Sequence, residues 1–96
     1  MASSKDFLGF ILEQLRLLDD IQYKPMMGEY LLYYKGKLFG GIYDNRFLVK
    51  KTETNESFNL TQEIPYAGAK AMYMIEDLDD VELIKDIVES TYNGLK

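Results

Sequence analysis

A chain of 96 residues that is 47% hydrophobic and 14% aromatic has the apolar area for one core and lies outside the composition of disordered proteins. It contains neither cysteine nor histidine, which excludes disulfides, thiolate chemistry and imidazole-based proton transfer or metal ligation, and leaves carboxylates, lysines, tyrosines and hydroxyls for any catalysis. Its 11 basic and 16 acidic residues, a net charge of −5, oppose a phosphate backbone, so direct nucleic-acid binding is not expected.

The opening Met1-Ala2-Ser3-Ser4-Lys5-Asp6 lacks the charged-then-apolar pattern of a secretory leader, and the apolar run at 7–12 is far below the roughly 20 residues of a membrane span. The expectation is a cytoplasmic protein with no membrane association, in which the sequons Asn55-Glu56-Ser57 and Asn59-Leu60-Thr61 are chance matches. Phe7, Phe10, Ile11, Leu15 and Leu18 recur at helical spacing, with Ser3 or Ser4 as the N-cap and Asp6 in the first turn. Gly9 weakens this amphipathic helix unless something packs closely against it.

Residues 21–27 alternate weakly and contain Pro25, which suits an edge strand. Aromatic and aliphatic runs at 29–34 and 37–43, separated by Lys35-Gly36, predict a β-hairpin. Asp44-Asn45 is a second two-residue turn into a strand at 46–51. In that register Tyr34 faces Lys37, Tyr43 faces Arg46 and Tyr30 faces Gly41, and period-two geometry sorts the side chains onto two faces. Leu31, Tyr33, Leu38, Ile42, Phe47 and Val49 form an apolar face expected to meet the helices. Tyr30, Leu32, Tyr34, Phe39, Tyr43, Arg46, Leu48 and Lys50 form a mixed tyrosine–cation face, either covered by a further element or exposed as a partner or self-association surface. A bulge at Gly40-Gly41 would exchange the faces on one side of it.

Residues 52–57 read as a loop, and Pro65 with Ala67-Gly68-Ala69 as irregular backbone before a strand at 70–76. Asp79 and Glu82 fit a capping box, Leu78 and Leu83 a hydrophobic staple, and Ile84, Ile87, Val88 and Thr91 one face of a final helix ended by Gly94.

Three constellations invite chemistry and do not carry it. An EF-hand loop beginning at Asp77 would need Gly at its sixth position and Glu at its twelfth, where the chain has Glu82 and Val88, so helix capping accounts for the acidic group. Gly36, Gly40 and Gly41 lie in or between strands and not at a strand-to-helix turn, which rules out a phosphate loop. Lys70 has nothing beside it to activate an amine. No catalytic residue, metal or cofactor is expected.

The stretches Pro25-Met26-Met27-Gly28-Glu29-Tyr30, Leu31-Leu32-Tyr33-Tyr34-Lys35-Gly36-Lys37, Leu38-Phe39-Gly40-Gly41-Ile42-Tyr43-Asp44, Leu48-Val49-Lys50 and Pro65-Tyr66-Ala67-Gly68-Ala69-Lys70-Ala71-Met72 resemble the N-terminal domain of the TfoX/Sxy family. The resemblance runs from about Phe7 to Tyr92. It implies an α+β domain with an antiparallel sheet and flanking helices. It also implies kinship with regulators of natural competence that act alongside the cyclic-AMP receptor protein. Those regulators carry a second, C-terminal domain, and the match here is to the first alone.

The expectation is therefore a single domain over 1–96 of α+β class, with an antiparallel sheet of about four to five strands and N-terminal and C-terminal helices packed on it. Its expected role is a non-enzymatic regulatory module engaging a protein partner or forming a homodimer. The alternative is a small-ligand-binding domain or weak enzyme with a pocket between sheet and helices.

Overall fold

Three two-residue turns set the architecture of the chain, whose computed structural model describes residues 3–95; residues 1, 2 and 96 of the expected domain lie outside the described residues. Met27-Gly28, Lys35-Gly36 and Asp44-Asn45 have positive φ at both positions (52° and 86°, 51° and 80°, 53° and 56°), the backbone of type I′ turns, whose twist matches that of antiparallel strands. They join β1 (Ile21–Met26), β2 (Glu29–Tyr34), β3 (Lys37–Tyr43) and β4 (Arg46–Val49) into a meander. A second antiparallel pair, β5 (Thr61–Glu63) and β6 (Met72–Met74), docks on it through β6, giving the order β1-β2-β3-β4-β6-β5.

The protein is α+β, as expected, with six antiparallel strands where four to five were anticipated. The additional strand is β5, whose Thr-Gln-Glu sequence has no apolar alternation to announce it.

Helices α1 (Lys5–Gln14) and α2 (Val81–Gly94) pack on one face of the sheet. Ser4 caps α1, its hydroxyl accepting the Phe7 N–H at 3.1 Å. The helix buries Leu8 and Ile11, with Leu15 and Leu18 following, while Phe10, expected on this face, is 41% exposed. Beside Gly9 there is open space, so no close packing compensates its low helix propensity. At α2 the cap is Asp80 and not Asp79: its carboxylate accepts the Leu83 N–H at 3.0 Å. The chain supplies two adjacent aspartates, and the turn in which the Leu78 N–H reaches the Glu76 carbonyl places the second at the helix start. Leu78 and Leu83 are half-buried against the core, and Ile84, Ile87, Val88 and Thr91 are buried as expected.

The pairing of β2 with β3 contains one bulge. Tyr34 faces Lys37 and Tyr33 faces Leu38, but Leu32 faces Gly40, which leaves Phe39 as the extra residue. Up to the bulge the expected register holds, but the extra residue exchanges the faces of β2 and the first part of β3 relative to the rest of the sheet. Tyr30, Leu32, Tyr34 and Phe39, assigned by sequence to the mixed face, join Ile42, Phe47 and Val49 against the helices. Leu31, Tyr33 and Leu38 turn to the opposite face with Tyr43, Arg46, Leu48 and Lys50.

Physical cause lies at the two glycines. A Cβ on Gly40 would strike the Leu48 carbonyl and the Val49 Cα, so β4 lies tight against it. Meanwhile the Lys50 N–H reaches past to the Phe39 carbonyl at 2.8 Å. The exchange places Phe39, fully buried, in the core; without it, that ring would sit on the helix-free face. Tyr30 faces Ile42 in consequence, and Leu31 stands opposite Gly41.

Candidate functional site

The helix-free sheet face is partly roofed by the connection between β5 and β6, residues 64–71. Arg46, at the start of β4, fixes that connection. Its Nε donates to the Tyr43 carbonyl at 3.1 Å, Nη1 to Glu63 Oε1 at 3.2 Å, and Nη2 to the carbonyls of Ile64 and Pro65 at 3.2 Å each. Pro65 is buried beneath, and the Ala69 N–H closes a turn on the Tyr66 carbonyl at 3.1 Å.

Between this roof and the sheet lies a groove of about 700 Å³, within the range of small-molecule sites. Met26, Leu31, Leu38 and Gly40 supply its sheet side, Pro65, Tyr66, Ala69 and Ala71 its loop side, and Met72 its far wall; Tyr43, Lys50, Lys51 and Lys70 add the polar groups. None of these residues belongs to a helix, so the groove lies opposite to the sheet–helix interface where the ligand-binding alternative places a pocket.

Tyr43 organises the site. A Cβ on Gly41 would fall 2.8 Å from the Tyr43 ring, so the missing side chain lets the phenol lie flat along its own strand. This glycine is covered by Tyr43 and not by Tyr30, which the expected register places opposite it. Tyr66 packs over Tyr43 with ring centroids 6.0 Å apart at 47°. Burial, and then the neighbouring Tyr66, Glu29 and Tyr33, push the Tyr43 phenol above its ordinary value. At neutral pH it is a protonated donor.

Lys50 follows the last residue of β4, with Asn55 securing the backbone there. The fully buried Asn55 amide donates to the Lys50 carbonyl and to Thr91 Oγ1, both at 2.8 Å, and accepts from the Thr52 N–H at 3.0 Å. With both side-chain ends engaged, this sequon is structural. The Lys51 ammonium is already partnered: it donates to Gln62 Oε1 at 2.8 Å and lies 5.6 Å from the Tyr73 ring centre. Lys70 is exposed at the exit of the roofing loop.

Of the eight residues expected to form one interaction face, the structure thus brings four together on the helix-free side. Tyr43 and Lys50 line the groove, Arg46 pins its roof and Leu48 is buried in the sheet. The other four are covered on the helix side. Tyr34 meets Tyr92 of α2 edge-on at 5.1 Å, and Tyr30 packs against Tyr23 at 5.9 Å. The sequence reading missed Leu31, Leu38, Tyr66 and Met72 as site residues. The one available signal was the Pro65 and Gly68 punctuation of the connection, whose glycine sits at φ 86°.

Among the described residues no cluster of carboxylates could hold a metal ion, and no helix is long and apolar enough to cross a membrane. No protein-family model matches the sequence. The chain is 31% identical over 98 residues to an uncharacterized 12.7 kDa protein in the trpE 5′ region of Spirochaeta aurantia, in an alignment covering 99% of this chain and 85% of that protein. At that identity over nearly its whole length, the chain belongs to the family of this Spirochaeta aurantia protein.

Proposed function

We propose that the protein is a non-enzymatic, regulatory binding module of the TfoX/Sxy type whose binding site is the groove beneath the β5–β6 connection. The observation that carries this reading is the groove itself: a concave, mostly apolar site of about 700 Å³ with a few polar groups at its border, the form that small-ligand sites take. Two further features support it. Every lining residue except Lys51 falls within the stretches 25–44, 48–50 and 65–72 on which the TfoX/Sxy resemblance rests. The Tyr43 phenol is protonated at neutral pH and burial shifts it further from ionisation, which suits a hydrogen-bond donor and not a general base.

The test is a thermal-shift screen of metabolites and nucleotides against wild type and Ala71→Trp, which fills the groove from its loop side. A ligand at roughly 100 times its dissociation constant adds about 2.7 kcal/mol of stability, a rise of roughly 10–20 °C for a domain of this size. The expected result is a compound that shifts wild type and not the variant. A shift that survives in Ala71→Trp would place binding elsewhere, and a screen without any shift would overturn the reading.

A further inference from the structure

The groove's border has an unusual electrostatic character for so acidic a chain. Lys50 enters from the end of β4 and Lys70 from the roofing loop. Among the described residues neither takes part in an ion pair or a side-chain hydrogen bond; the ion pairs present are Arg16–Glu13, Arg46–Glu63 and Lys85–Glu89.

The carboxylates of Glu63 and Glu29 are directed at other partners. Glu63 holds Arg46 at 3.2 Å. Glu29 accepts from the Ser3 hydroxyl at 2.7 Å, the Ser3 N–H at 3.0 Å and the Asp44 N–H at 3.1 Å. Two ammonium groups with no ion-pair partner among the described residues thus border an apolar groove on a chain of net charge −5. In such a setting local positive potential, focused by low-dielectric walls, is available to an incoming anion. The apolar residues set the other requirement, because a bare inorganic ion would leave them without a partner while an apolar or aromatic body would cover them.

We propose that the groove takes a small organic anion, its charged head between Lys50 and Lys70 and its apolar or aromatic body against Leu31, Leu38 and Met72, beside the Tyr43–Tyr66 pair. The inference rests on the groove being the binding site, and the experiment separates the two claims.

The probes are anilinonaphthalene sulfonate, an aromatic anion, and phenylnaphthylamine, its uncharged parent. Each is titrated by fluorescence into wild type and Lys50→Gln/Lys70→Gln, with the contact surface mapped by amide NMR. Wild type is expected to bind the sulfonate about tenfold more tightly than the parent, with the advantage shrinking at high salt. The double variant is expected to lose that factor for the sulfonate while binding the parent unchanged, which also reports that it is folded. In the map, the amides of Gly40, Tyr66 and Lys70 shift. Equal affinity for both probes, indifferent to the substitutions, would overturn the anion inference and leave the groove reading standing. Failure of both probes to shift groove amides would overturn both.

Discussion

Replacing Arg46 by glutamine tests whether the groove's roof is held by one side chain. The guanidinium makes four hydrogen bonds, one to Glu63 and three to the carbonyls of Tyr43, Ile64 and Pro65. The Arg46 and Glu63 side chains are 25% and 37% exposed, so solvent screens the ion pair, which contributes at most about 1 kcal/mol. The carbonyl bonds come from a charged donor, but the Ile64 end is open to water and its acceptor rehydrates, leaving about 1–2 kcal/mol from the three together. A loss of about 1–3 kcal/mol follows, equivalent to a melting temperature lower by roughly 5–20 °C. Arg46→Lys should recover only a small part, because an ammonium cannot reproduce the planar fork. Hydrogen exchange gives the sharper readout: the Ala69 amide, bonded to the Tyr66 carbonyl at 3.1 Å, should lose more protection than the central amides of β3. If Arg46→Gln cost less than about 0.5 kcal/mol and left Ala69 protected, the loop would be held by other contacts and the clip argument would fail.

Two further outcomes follow from local geometry. A methyl group at exposed, helical Gly9 would meet nothing within 4 Å, so Gly9→Ala should stabilise the protein by about 0.5–1 kcal/mol in urea unfolding, and a destabilised variant would mean that α1 has an unseen neighbour. Tyr43 has a folded-state pKa raised above 10.0 by burial first and its neighbours second. The folded chain thus holds that proton longer than the unfolded chain, and the associated stability is intact below about pH 10 and lost as pH rises through the folded pKa. Tyr43→Phe should flatten that alkaline loss, and an unchanged pH profile would count against a buried phenol.

Local chemistry explains which parts of the fold were legible. Lys35-Gly36 announced its turn because Gly36 separates two aromatic runs, and Asp44-Asn45 because both residue types tolerate left-handed backbone; the pairings Tyr34–Lys37 and Tyr43–Arg46 follow from loop length alone. Met27-Gly28 was less visible because its first position is a fully exposed methionine at φ 52°, held there by the flanking pairing and not by its own preference. The apolar period of α2 was legible, yet its cap lay one residue off, since Asp79 and Asp80 are equally competent and only the preceding turn decides between them. Strand β5 had no local signal: Thr61–Glu63 is strand because β6 offers it an edge.

The groove depended on a tertiary choice that the sequence leaves open. Residues 30–34 and 38–43 are aliphatic, aromatic or glycine throughout, so either alternating set could face the helices, and composition does not decide between Leu31-Tyr33 and Leu32-Tyr34. The decision comes from Phe39 beside Gly40. One extra residue lets the ring enter the core while the glycine admits the β4 backbone, and the same step turns Leu31 and Leu38 outward beneath the β5–β6 connection. Core and site are thus two consequences of one bulge. Any change that restored the regular register would strand Phe39 outside the core and remove the apolar floor of the groove together, so stability and binding should fail as a unit.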